Sequence, residues 1–183
     1  PTVERVERAI AKLNYRANPA AARLARNQSH RFLFLLPSTA NPFMVQLEAQ
    51  VSATAKWLVA QQAFIDVRNA DVFDPVAVSN ELLTLPDVYN GVALVALDHP
   101  VVRAAIDTLV ARGLHVVTLV SDAPLSLRTH YVGIDNPAAG RTAGSLMGRF
   151  LAGREGKVGI IIGSMGLRDH AERCFGFQQV ISG

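Results

Sequence analysis

Cysteine is almost missing from this sequence: Cys174 is the only one among 183 residues. That excludes an intrachain disulfide and a Cys-built metal site, and it fits a reducing, cytoplasmic setting. Long apolar runs are missing too, and none approaches the roughly 20 residues needed to span a bilayer. Where an export signal would carry an apolar stretch, the chain carries Glu4, Arg5, Glu7 and Arg8. Neither secretion nor a membrane partner is expected. No G-x-G-x-x-G follows the first apolar run, which ends in Pro37-Ser38-Thr39-Ala40-Asn41-Pro42. A dinucleotide site and a P-loop are therefore not expected. Gly163-Ser164-Met165-Gly166 has Ile162, not glycine, two residues before the serine, so it is no nucleophile elbow. His30, His99, His115, His130 and His170 show no metal-ligand spacing. No metal and no cofactor are expected. In the adjacent pairs Asp98-His99 and Asp169-His170 the side chains should diverge, which argues against a catalytic dyad and against an enzyme.

What is present is a chain that can bury a core. Half of its residues are apolar and 18% are charged, a balance that argues against disorder. The net charge of +3 is unevenly spread. Residues 1–31 hold Arg5, Arg8, Lys12, Arg16, Arg23, Arg26 and Arg31 against Glu4 and Glu7, a surplus of five, which leaves the remainder at minus two. Charge gathered at one end reads as a polyanion-binding arm on an otherwise neutral domain. The bland alternative is a solvated basic helix.

Val3, Val6, Ala9, Ile10 and Leu13 follow helical spacing and predict an amphipathic helix over 3–13. The segment NYRANP (14–19) breaks it. Asn18 can then cap a short second helix, with Pro19 at its first position, over about 20–26. From residue 32 the pattern alternates between strand and helix. Strands are expected at 32–36, 63–67, 92–97, 115–120, 131–134 and 158–162. Helices are expected at 43–62, 75–85, 101–112, 136–151 and from 168 onward. Continuous apolar strands separated by helices imply a parallel α/β sheet. The opening at Pro1 and the helix running to Gly183 read as a piece of a longer protein.

In open α/β sheets, ligands bind at the carboxyl ends of the strands. There stand Asn41 and Phe43 after the first strand, Asp98 and His99 after the third, Ser121 and Asp122 after the fourth, and Asp135 and Asn136 after the fifth. Carboxylates and amides beside an aromatic ring suit a sugar, since polar groups meet hydroxyls while the ring covers a CH face. The same residue types also serve as turn and cap residues.

The stretch VERVERAIAKLNY (3–15) resembles the last headpiece helix of the LacI/GalR repressor family, and NYRANPAAARL (14–24) resembles its hinge helix. Asn41-Pro42-Phe43 resembles the start of that family's effector domain. YVGIDN (131–136) resembles its crossover segment, and RDHAERCFGF (168–177) its R-x-x-G-F element. The resemblance implies an α/β fold, a three-layer parallel sheet of the periplasmic-binding-protein-like type I kind, preceded by a short helical DNA-binding remnant. It implies three parts: 1–30 the end of a DNA-binding headpiece and hinge, 31–135 a first effector lobe, and 136–183 the beginning of a second lobe. It further implies a homodimeric transcriptional repressor that binds operator DNA and answers to a sugar or sugar-derivative effector.

By that resemblance, Leu24 would wedge into a minor-groove step, flanked by Arg16, Asn18, Ala22, Arg23 and Arg26. Arg173 would join Asn41, Phe43, Asp98, His99 and Asp135 at the effector. Where the family often has Asp after the fourth strand, this chain has Val120, and either Ser121 or Asp122 is expected to face the ligand. Two alternatives remain open: the sugar-binding component of a transport system, and an α/β enzyme using Asp98, His99 or Asp122.

Overall fold

In a computed structural model, which describes residues 2–13, 29–38, 40–154 and 156–181, the apolar runs pair as expected. β1 (His30–Pro37), β2 (Ala63–Ala70), β3 (Gly91–Leu94), β4 (His115–Leu119) and β5 (His130–Val132) form one sheet. Its order is β2-β1-β3-β4-β5, and every pairing is parallel. The helices are α1 (Thr2–Leu13), α2 (Pro42–Leu58), α3 (Pro75–Leu83), α4 (Pro100–Ala111), α5 (Asn136–Leu151) and α6 (Arg168–Ile181). A single 3-10 turn, Val59–Gln61, follows α2. The expected α/β fold is the one observed.

Four of these helices start from one local device. Asn41, Asp74, His99 and Asp135 each accept a hydrogen bond from a backbone N–H of the first turn, with a proline at its first or second position. The cap satisfies a donor that the helix leaves orphaned, and proline there loses no hydrogen bond. These sites also mark where the chain turns from strand to helix at the carboxyl edge.

The chain runs from β1 out to β2, then back across β1 to β3, so winding reverses between β1 and β3. Right-handed crossovers then place α2 on one face and α3 and α4 on the other, giving three layers. α3 and α4 pack on each other. The core between them and the sheet includes Val78, Leu82, Leu94, Val102, Ile106 and Leu109, all with no exposed surface. β3 is buried along its whole length, which explains why it reads as an unbroken apolar run.

α5 and α6 pack along each other through glycines. A Cβ on Gly140 would collide with the Arg173 carbonyl, and one on Gly176 with the Pro137 carbonyl. The two backbones therefore approach closer than any side chain would allow.

One expected strand is absent. Residues 158–162 form no ladder, and Ile160, Ile161 and Ile162 are 41%, 100% and 39% exposed. A strand exists only by hydrogen bonding to a neighbour, and no described strand lies beside this run. The α1 stripe of Val3, Val6, Ile10 and Leu13 is likewise exposed. Residues 14–28, which carry the expected hinge helix, lie outside the described residues.

The helix pair makes a stability prediction. Gly176→Ala should lower stability by about 1–3 kcal/mol through overpacking. Gly148→Ala, on the same helix as Gly140 but with nothing within 4 Å of its added Cβ, should raise it by up to about 1 kcal/mol. Urea titration followed by circular dichroism reads both.

Candidate functional site

The site grows from the ends of β1 and β4 and from the start of α6. Asn41 Oδ1 accepts the Phe43 amide at 2.9 Å, which sets Phe43 on the first turn of α2 with 55% of its surface exposed. Opposite, α6 is tied to the sheet edge by its first residue. The Arg168 amide donates to Ser121 Oγ at 3.1 Å, and its guanidinium reaches Asp98 Oδ2 at 3.3 Å and Glu172 Oε1 at 2.7 Å. Burial works against the Arg168 charge, but Glu172 and Asp98 outweigh it and hold the guanidinium protonated more firmly than usual.

Between these elements lies a cavity of about 370 Å³. Asn41, Phe43 and Met44 line it from α2, and Asp169, His170 and Arg173 from α6. Val120, Gly133 and Ile134 form the floor. A small annex of about 80 Å³ shares Asn41, Met44, Val120, Asp169 and His170 with it. The volume lies at the lower end of the range of small-molecule sites.

Asp169 is 3% exposed. Its Oδ2 accepts from Arg173 Nη2 at 2.6 Å, while its Oδ1 is buried and has no hydrogen-bond partner. Arg173 Nη1 donates to Asn136 Oδ1 at 2.8 Å. The Ser164 amide donates to His170 Nδ1 at 3.0 Å, and His170 Nε2 stands 3.6 Å from Asp169 Oδ2. Asp169 and His170 were expected to diverge; instead both line this cavity. On a helix, neighbours splay by about 100° around the axis, and a concave wall wide enough receives both.

Val120 is strained. Its φ is +64°, a left-handed conformation that a β-branched residue rarely adopts and that costs roughly 1–3 kcal/mol. Its amide donates to the Val132 carbonyl at 2.9 Å, and its own carbonyl accepts the Tyr131 hydroxyl at 2.9 Å. The Tyr131 side chain folds back over Gly133, where any Cβ would meet its ring. Strain held by surrounding bonds at a cavity floor is typical of a functional site.

The family model described as "Periplasmic binding protein domain" matches residues 32–183. The chain belongs to that family. No curated protein sequence matches the chain. Among solved structures, a glucose-galactose binding protein from Geobacillus stearothermophilus is 25% identical with a TM-score of 0.69, over 85% of this chain and 54% of that one. An ABC transporter solute-binding protein from Burkholderia graminis, in complex with D-arabinose, is 23% identical with a TM-score of 0.73, over 85% and 52%. A putative LacI transcriptional regulator from Bacteroides fragilis is 16% identical with a TM-score of 0.70, over 85% and 55%. The chain thus spans about half the length of the structures it resembles.

Within this periplasmic-binding-protein domain, Asn41, Phe43 and Arg173 come together in one cavity. The other candidates at the carboxyl edge do not line it. Asp135 Oδ1 caps α5 by accepting the Ala138 amide at 2.8 Å, and His99 caps α4. Asp98 pairs with Arg168 and, at 3.6 Å, with Arg103. Ser121 is the acceptor for α6, and of the two alternatives Ser121 and Asp122, neither reaches the cavity: Val120 does. Asp122 is held by Arg128, whose Nε donates to Oδ1 and whose Nη2 donates to Oδ2, by the Thr118 hydroxyl at 2.6 Å and by the Ala123 amide at 2.8 Å. Arg16, Asn18, Ala22, Arg23, Leu24 and Arg26 lie outside the described residues. A larger cavity of about 520 Å³ opens at the amino edge, beside His30, Tyr89 and His115. Its Arg112 is already engaged by the Leu85 carbonyl and Asp87.

The signals missed in the sequence were Asp169, His170 and Val120. RDHAER carried the first two, since Asp169 and His170 stand four and three residues before Arg173 and so share a helix face with it.

Asp122 makes a pH prediction. Burial alone would raise its pKa, but the Arg128 hydrogen bonds and the Thr118 hydroxyl outweigh it and hold the carboxyl below its ordinary 3.8. A depressed folded-state pKa contributes stability above the unfolded value and loses it as pH falls through the folded one. Asp122→Asn should therefore cost about 1–3 kcal/mol at neutral pH, and the gap to the parent chain should close below pH 3.8. Denaturant titrations across that range, with any refolding-competent acid state monitored, check the sign.

Proposed function

We propose that the cavity between α2 and α6 binds a sugar or sugar derivative. The observation that carries this reading is the division of its wall. Phe43, Met44, Val120 and Ile134 offer an apolar side, while Asn41, Asp169 and Arg173 converge as a polar side. A monosaccharide has the same two characters, with CH faces and a rim of hydroxyls. The structural neighbours described as glucose-galactose binding and as a D-arabinose complex support the reading. The winding reversal between β1 and β3 supports it too, because open α/β sheets bind ligands where winding reverses.

Two settings for such a domain have support. The solved neighbours favour the binding component of a transport system. Residues 1–31 favour a cytoplasmic transcriptional regulator that represses from operator DNA as a homodimer. Their support is the surplus of five positive charges and the likeness of 3–15 and 14–24 to a headpiece helix and hinge. In that setting the ligand would shift the relation between two lobes, and with it the fit of paired hinges on DNA.

One pair of titrations separates these. A saturating sugar, at about a hundredfold excess over its Kd, should add roughly 2.7 kcal/mol of stability, and Arg173→Ala should abolish the thermal shift. No shift with any sugar would remove the ligand reading. Fluorescence anisotropy with labelled duplex DNA decides the setting. Binding that weakens steeply with added salt supports the regulator, and no binding at low salt favours the transport component.

A further inference from the structure

Among the described residues that line the cavity, Asp169 carries a buried side-chain oxygen without a hydrogen-bond partner. Asp169 is almost wholly buried, and a buried carboxylate oxygen that accepts no hydrogen bond is left with an uncompensated desolvation cost. Its Oδ2 is matched by Arg173 at 2.6 Å; its Oδ1 is not matched. Asp169 lines both the main cavity and its annex of about 80 Å³, room for a water or for a hydroxyl carried on a ligand. What Oδ1 requires is a donor, and the space beside the residue is where a ligand would enter.

Charge narrows the donor further. Among the described residues lining the cavity, Arg173 is the only arginine or lysine, and both of its Nη groups are engaged, with Asp169 and Asn136. The nearby start of α2 offers no cradle of amides: Pro42 has no N–H, the Phe43 amide bonds the Asn41 side chain, and the Val45 amide bonds the Asn41 carbonyl. A phosphate or carboxylate would therefore sit against the Asp169 carboxylate, and the one arginine of the wall already shares its charge with that carboxylate. A hydroxyl would meet an acceptor.

We infer that Asp169 is a specificity-determining residue of this site, its Oδ1 taking a hydrogen bond from one hydroxyl of a neutral polyhydroxy ligand and turning away sugar acids and sugar phosphates. This rests on the sugar-binding reading. Arg173 also fixes how a substitution would act. In Asp169→Asn the guanidinium holds the amide oxygen on its own side, so an NH2 takes the place of Oδ1, and an acceptor becomes a donor.

The test is calorimetric titration of the 183-residue chain and of Asp169→Asn. The probes are neutral aldoses, the matching uronic acids and sugar 6-phosphates, and monodeoxy and monofluoro forms of the best neutral sugar. The neutral sugar should bind the parent chain while its acid and phosphate forms bind at least about tenfold more weakly. Asp169→Asn should weaken the neutral sugar by about tenfold to a hundredfold. At one position, replacing OH by H or by F should cost the parent about tenfold or more, because fluorine cannot donate. The fluoro sugar should regain affinity in Asp169→Asn, whose NH2 donates to it. A merely structural role for Asp169 would not produce that reversal.

Equal binding of acid and neutral forms, or an unchanged affinity in Asp169→Asn, overturns the inference and leaves the sugar-binding reading standing. Absence of binding by every probe overturns both. If Asp169→Asn does not fold, the parent series decides alone, and the inference falls when no single deoxy and fluoro position carries a tenfold loss.

Discussion

The hydrogen bond from the Arg168 amide to Ser121 Oγ, at 3.1 Å, is the tie on which the site depends. Ser121 is 1% exposed, so its hydroxyl needs a partner, and the first amide of α6 needs an acceptor; each satisfies the other. The Asp98 carboxylate fixes the same residue through its guanidinium. With that end of α6 anchored to the sheet, the helical period delivers Asp169, His170 and Arg173 to the wall facing Asn41 and Phe43. The glycine contacts of α5 with α6 set the remaining freedom of the helix, since Gly140 and Gly176 let the two backbones meet directly.

The fold was legible because its signals are redundant. The central strands β1 and β3 carry continuous apolar runs, and four helices announce themselves by a cap residue with proline at the first or second helical position. The site was legible in part, for a physical reason. At the carboxyl edge, Asn, Asp, Ser and His serve equally as caps and as ligand groups, and sequence does not say which. Asp135 and His99 turned out to cap helices, Asp122 to clamp Arg128, and Ser121 to seat α6. Asn41 does both, capping α2 while lining the cavity. Val120 was not legible at all, because the left-handed turn it adopts is imposed by bonds from Val132 and Tyr131, which only the folded chain brings together. The expected strand at 158–162 has the right composition, but no described strand lies beside it to complete a ladder.

The cavity and the anchor belong to one argument. Open α/β sheets bind ligands outside the carboxyl ends of their strands, and here that edge touches α6 through Arg168, Asp98 and Ser121. A ligand bridging Asn41 and Phe43 to Asp169 and Arg173 would load that same junction. Occupancy and the relation between the sheet and the α5–α6 pair are then coupled through a few identifiable bonds, whichever setting the domain serves.

The most direct measurement of the central claim is amide chemical-shift mapping of the isotope-labelled chain during titration with a neutral monosaccharide. The account predicts concerted shifts at Phe43 and Met44, at Val120 and Gly133, and from Asp169 to Arg173, following one binding curve. Shifts confined to the amino-edge cavity around His30, Tyr89 and His115, or to α2 alone with α6 silent, would contradict it.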